Sequence, residues 1–277
     1  MQLDSKYVGQ LMGEEKTTNT QNQTSESSVN DHSQWNRRRA IYLLPNLLTT
    51  SALFSGFYAI VSAMSDQYEN AAIAIFVAMV LDGLDGRVAR MTNTQSDFGA
   101  EYDSMADLVS FGMAPALVAY TWVLHDLGKV GWVISFIYVA SAALRLARFN
   151  TQLAVADKHF FTGLASPSAA AIVAGLIWTL VESEVEPETV SWLVAVVVAA
   201  SGLLMVSNVR YQSFKGIDVR DKIPFVALLA IVLVFVIISI DPAKVLLAIF
   251  GLYAVSGPVF EIFRRFRKRT TSSNGVG

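Results

Sequence analysis

Asp82, Asp85, Asp103 and Asp107 fall within 26 residues, in the stretch LDGLDGRVARMTNTQSDFGAEYDSMADLVSFG, at intervals of 3, 18 and 4. Carboxylates offer only oxygen, and no His or Cys lies in this segment, so an ion held here would be Mg²⁺ or Mn²⁺ rather than zinc. Two such ions sharing carboxylates suit displacement at phosphorus, because they clamp the attacking and the leaving oxygen together. A lone aspartate at a helix end is ordinarily a solvated cap. Four of them, interleaved with Gly86, Arg90 and Gly99, do not read as caps.

Helical spacing decides whether these groups can meet. The run AAIAIFVAMVLDGLDGRVAR contains no proline and is predicted to remain helical to its end, with Asp82 and Asp85 one turn apart and Asp82, Gly86 and Arg90 along one stripe. Beyond the polar turn TNTQSD, Gly99, Asp103 and Asp107 recur every four residues, so the next helix presents a second stripe. Two facing helices would converge all four carboxylates. Gly86, without a side chain, would let a ligand approach the backbone.

The elements around them are apolar. Of 277 residues, 53% are hydrophobic and 16% charged, and the apolar runs are too long for a soluble core, which predicts an all-α polytopic transmembrane bundle. About eight spans are expected, near 42–64, 70–89, 108–124, 130–147, 165–181, 189–207, 223–240 and 242–262. If Arg37, Arg38 and Arg39 are cytoplasmic, alternation puts most Lys and Arg on that side, leaving only Lys129 and Lys244 opposite. Both termini are therefore expected in the cytoplasm. The hairpin carrying Glu182, Glu184, Glu186 and Glu188 would face outward. Near hydrocarbon a cluster of like charges is expensive, and the neighbouring basic residues are too few and too displaced to neutralise it, so bound cations are the economical answer.

Residues 1–36 are polar and nearly free of large aliphatics, and are expected to form a disordered cytoplasmic tail lacking the features of a secretory signal. Residues 37–265 would form the membrane domain and 266–277 a basic and polar tail. Cysteine is absent, which removes disulfides and thiolate chemistry. No internal repeat is evident, which argues against inverted-repeat transporters.

The pattern Asp82-x2-Asp85-Gly86-x2-Ala89-Arg90-x8-Gly99-x3-Asp103-x3-Asp107 resembles, without a departure, the signature of the CDP-alcohol phosphotransferases. The resemblance implies a site at the cytoplasmic face of the cell (inner) membrane, where a CDP-linked donor loses CMP as its phospho-group passes to an alcohol. It implies that Asp82 and Asp103 bridge two Mg²⁺ or Mn²⁺ ions, that Asp85 ligates the first, and that Asp107 ligates the second and acts as general base. Gly86, Arg90 and Ser96 would hold the CDP part. Over residues 36–265 the chain is similar to the branch of the family whose donor is CDP-diacylglycerol and whose acceptor is L-serine, through RRRAIYLLPNLLTTSALFSGFYAIVSAM, SFGMAPALVAY, ALRLARFNTQ and MVSNVRYQSFK. Where that branch commonly shows Gly-Leu-Pro-x-Pro, this chain reads GLASPSAAA. A homodimer is implied by the resemblance, and no nucleic-acid partner is expected.

Pro45 is expected to kink the first span. Asn46 and Thr49, one turn apart beyond it, would border the nucleotide or hydrogen-bond between helices. Arg148 with Asn150 is the preferred pair for an acceptor carboxylate, with Arg145, Arg210 and Lys215 as further candidates, because a guanidinium recognises carboxylate or phosphate bidentately. Trp35, Trp132, Trp178 and Trp192 are read as interfacial anchors, and Gly251 and Gly257 as helix-packing positions. Two rival readings remain at this stage. A sister enzyme would use glycerol 3-phosphate, inositol phosphate or choline as acceptor, and an ion-coupled secondary transporter would carry its acidic residues near mid-bilayer on broken helices.

Overall fold

A computed structural model describes residues 44–152, 160–212 and 225–273. The expected tail 1–36, the basic cluster at 37–39, Trp35 and Lys215 lie outside these residues. Pro45 is the second described residue, so its expected kink falls at their edge. Each of the eight apolar runs is helical: α1 (Leu44–Met64), α2 (Tyr68–Thr92), α3 (Asp97–Asp107) leading through a π-helical turn into α4 (Ala114–Trp122), α5 (Lys129–Gln152), α6 (Ser166–Glu182), α7 (Pro187–Val206), α8 (Phe225–Ile240) and α9 (Pro242–Ser273). Four of them, α1, α5, α7 and α9, are long and apolar enough to cross a membrane, whereas α6 is a shorter apolar helix of 17 residues. The chain is a helical membrane protein.

Helix α6 lies at the centre. Every residue from Ser168 to Gly175 is buried, and the helix packs against α2, α7 and α9. At Gly175 a Cβ would stand only 3.3 Å from the Leu247 backbone of α9, and at Gly202 of α7 only 3.2 Å from Tyr138 Cα of α5. Small residues thus permit the close helix approach on which association in an apolar solvent depends. Gly257 likewise has no room for a side chain, here against the ring of Tyr211, while Gly251 faces open space. Large apolar side chains such as Phe54, Trp132, Phe136 and Trp192 point outward, where lipid would cover them. Trp178 departs from the expected anchoring role: it is buried and lies 6.1 Å from Phe76, ring centre to ring centre.

Two local devices position the aspartates. Asn93, in the left-handed conformation at φ 53°, ends α2 by returning its N–H to the carbonyls of Ala89 and Arg90, and Ser96 starts α3 by accepting the Gly99 N–H at 3.0 Å. Asparagine tolerates the first geometry and serine provides the second, so a short turn folds the two aspartate helices into a hairpin. The second device is the π-helical turn Leu108–Met113, directly after Asp107. Pro115 has no N–H to offer residue 111, and the freed Phe111 carbonyl instead accepts the Tyr138 hydroxyl at 3.2 Å. Such π turns re-phase a helix. This one nests between α1 and α5, because Gly56 packs on Ser110 and Gly112 on Ala142.

The all-α expectation needs one small amendment. Strand β1 (Phe160–Thr162) pairs antiparallel with β2 (Arg210–Gln212), Thr162 opposite Arg210. Next to it Gly163, at φ +85°, returns its N–H to Val209 and presses so closely on the Met205 carbonyl that no side chain fits.

Candidate active site

The end of α2 and the body of α3 bring three carboxylates together. Asp82, Asp85 and Asp103 each present an oxygen within 4.8 Å of the others. Asp107, one turn beyond Asp103, reaches the carboxylate of Asp82 at hydrogen-bonding range. Two carboxylates in contact need a proton or a cation between them. Asp85 is only 4% exposed, and its Oδ2 accepts the Thr49 hydroxyl at 2.7 Å.

Asp103 supplies a test of whether a divalent ion fits. Its Oδ1 is buried and has no hydrogen-bond partner, an arrangement that costs free energy unless a donor or a cation satisfies that oxygen. Among the described residues no Lys or Arg pairs directly with any of the four aspartates. Desolvating each carboxylate costs several kcal/mol, and the donors are all oxygen. The three converging groups fit a hard divalent cation.

One basic residue is nearer than its place in the sequence suggests. Arg145 of α5 lies close enough to Asp107 for their charges to interact. Its Nη1 donates to the buried hydroxyl of Ser166 at 2.8 Å, its Nε is buried without a partner, and Tyr253 of α9 also lies within electrostatic reach. Among the described residues Arg145 makes no ion pair with the cluster, so its charge acts on Asp107 only through space.

The residues expected around the nucleotide divide. The Arg90 guanidinium lies over Gly86, with Nη1 3.9 Å from where a Cβ would stand. The Asn46 amide oxygen is 3.6 Å from the corresponding point on Gly99, which sets it beside Ser96 at the start of α3. Thr49 donates to Asp85, which gives it the interhelical hydrogen bond and sets its side chain beside the carboxylate cluster. Ser96 is engaged through its hydroxyl as the α3 cap.

On the other side, Arg148 Nη2 donates to Asn208 Oδ1 at 2.9 Å. Asn150 Nδ2 donates to Ser104 Oγ at 3.0 Å, next to Asp103. Arg210 is on β2. Of these candidates Arg145 is the one that reaches the charge of Asp107. Ser104, Asn208, Tyr102 and Tyr253 had no signal in the sequence, because a single serine, asparagine or tyrosine carries no periodicity. Only Ser166 had a pointer, its position beside the departure in GLASPS.

The family model for CDP-alcohol phosphatidyltransferase matches residues 42–200. A Helicobacter pylori protein is 39% identical over 228 residues, covering 80% of this chain and 92% of its own. One from Mycobacterium leprae is 35% identical over 211 residues, covering 73% of this chain and 70% of its own. A third, from Methanocaldococcus jannaschii, is 32% identical over 219 residues, covering 79% and 94%. All three are named CDP-diacylglycerol–serine O-phosphatidyltransferase.

Proposed function

The chain belongs to the CDP-alcohol phosphatidyltransferase family, and from that premise we propose that it transfers the phosphatidyl group of CDP-diacylglycerol to the hydroxyl of L-serine, giving phosphatidylserine and CMP. The observation that carries the reading is the convergence of Asp82, Asp85 and Asp103 on one point, with Asp107 against Asp82, inside the residues 42–200 that the family model matches. In the reaction the serine oxygen forms a bond to the phosphorus bearing diacylglycerol. The bond from that phosphorus to the bridging oxygen breaks, and CMP departs with its electron pair.

Serine's hydroxyl is a weak nucleophile at neutral pH and needs a positioned base. Asp107 takes that role, receiving the hydroxyl proton. Asp82, Asp85 and Asp103, with Asp107 beside them, would hold Mg²⁺ or Mn²⁺. Bound there, the ions supply charge stabilisation for the attacking and departing oxygens. Asn46, Gly86, Arg90 and Ser96 border the CDP moiety, where the open backbone at Gly86 and the exposed guanidinium of Arg90 admit a diphosphate. Thr49, bonded to Asp85, borders the same moiety. Arg145, held by Ser166, faces the acceptor's carboxylate together with Arg148 and Asn150, and Arg210 and Lys215 are further candidates for the same role.

Eight spans with both termini in the cytoplasm would put this site at the cytoplasmic face of the inner membrane, in a homodimer. The test is an acceptor panel: purified protein with CDP-diacylglycerol, Mg²⁺ or Mn²⁺, and serine, glycerol 3-phosphate, inositol phosphate or choline in turn. CMP release with serine alone is expected. Release with another acceptor only would reassign the enzyme within its family, and release with none would overturn the enzymatic reading.

A further inference from the structure

Helix α1 carries none of the aspartates, yet it is bonded to both helices that do. Thr49 and Thr50 are consecutive, so their side chains leave α1 about 100° apart. Thr49 Oγ1 donates to Asp85 on α2 at 2.7 Å. Thr50 Oγ1 lies 2.9 Å from the hydroxyl of Tyr102 on α3, the residue immediately before Asp103. Thr50 has one hydrogen and donates it to the Asn46 carbonyl at 2.7 Å, which leaves Tyr102 as the donor in the link between the helices. Higher up the pattern repeats: Ser55 Oγ donates to Ala74 O of α2 at 2.8 Å, and Ser110 Oγ beyond α3 donates to Ala52 O of α1 at 3.1 Å.

The arrangement matters because the two helices carry like charges toward each other. Their only covalent connection is the turn between Asn93 and Ser96, at one end, and electrostatic repulsion acts to open the hairpin. Cation affinity depends on ligand oxygens held to a few tenths of an ångström. We infer that α1 is a splint across the aspartate hairpin, and that Tyr102 and Thr50 are positioning residues whose single hydrogen bond sets the α3 ligands against Asp85 and so sets divalent-ion affinity. This rests on the metal reading of the cluster proposed above.

The test measures Mn²⁺ binding directly, by electron paramagnetic resonance of free ion over the full-length protein in nanodiscs, with neither substrate present. Tyr102→Phe and Thr50→Val are each expected to weaken Mn²⁺ binding by about 3–10-fold, the range of one neutral hydrogen bond. The double variant should be no worse than either single one, Thr50→Ser should bind as the wild type does, and Ser51→Ala, next along α1, should be unchanged. A residue that mattered only for folding would not be rescued in affinity by Thr50→Ser while Thr50→Val remained folded. Should Tyr102→Phe fail to fold, Thr50→Val and Thr50→Ser decide the matter. Wild-type affinity in the single variants, or additive losses in the double, overturns the splint. If the wild type itself binds no Mn²⁺, the metal reading fails and the splint falls with it.

Discussion

The chain has two clusters of four carboxylates, and they behave as opposites. Glu182, Glu184, Glu186 and Glu188 occupy only seven residues around the α6–α7 turn, a denser run than the aspartates. All four are exposed, and Glu184 is in the left-handed turn conformation at φ 50°, so the side chains fan out into solvent. Asp82, Asp85, Asp103 and Asp107 are spread over two helices, and three of them converge to within 4.8 Å. Linear density of charge therefore says little about function. Convergence against desolvation does, because only there must something else balance the charge.

The largest expected effect separates the two clusters. Asp103→Asn should reduce CMP release by on the order of 100-fold or more, since even residues supporting a metal ligand are typically worth about 10–100-fold, whereas Glu184→Gln should stay within about twofold, as exposed surface changes do. Comparable losses from both would erase the distinction. Within the buried cluster, Asp107→Asn should lower turnover by about 10²–10⁴-fold, the usual range for a general base, while CDP-diacylglycerol binding measured by equilibrium dialysis is largely spared. Wild-type turnover in that variant would remove its assigned role.

A smaller effect is expected at Arg145, whose charge reaches Asp107. Ser166→Ala leaves the Arg145 guanidinium without its 2.8 Å partner, a change of about 1–3 kcal/mol. It should raise the KM for serine while leaving the KM for CDP-diacylglycerol nearly constant, and equal changes in both would detach Arg145 from the acceptor. The smallest concerns the loop behind Ser166. Ala165 sits at φ −61° and ψ 136°, the backbone conformation a proline prefers. Ala165→Pro should therefore raise the thermal midpoint, through a gain of about 0.4–1 kcal/mol, without altering kinetics. A fall would mean that the lost N–H matters.

Much of this could be read before any fold was known. Every apolar run became a helix, because continuous hydrophobicity of that length has few other solutions in lipid, and the three- and four-residue spacings put each aspartate pair on one face. The π-helical turn was not legible, although Pro115 follows it closely, since a proline in an apolar run signals interruption without saying how the ladder is repaired. The β1–β2 ladder was missed because three-residue strands inside polar connections leave no periodic trace. Trp178 was misread because proximity to a span end does not reveal which way a side chain faces.

The sequence by itself determined which carboxylates could act as a set, and what kind of ion they suit, because helical periodicity and ligand chemistry are local properties. It also carried the family signature complete. Only the tertiary structure decided what surrounds the set: Thr49 on Asp85, Tyr102 on Thr50, and Arg145 of α5 within electrostatic reach of Asp107. Those partners are 36 residues away or more, and a hydrogen bond between distant helices depends on their packing, which no spacing along the chain expresses.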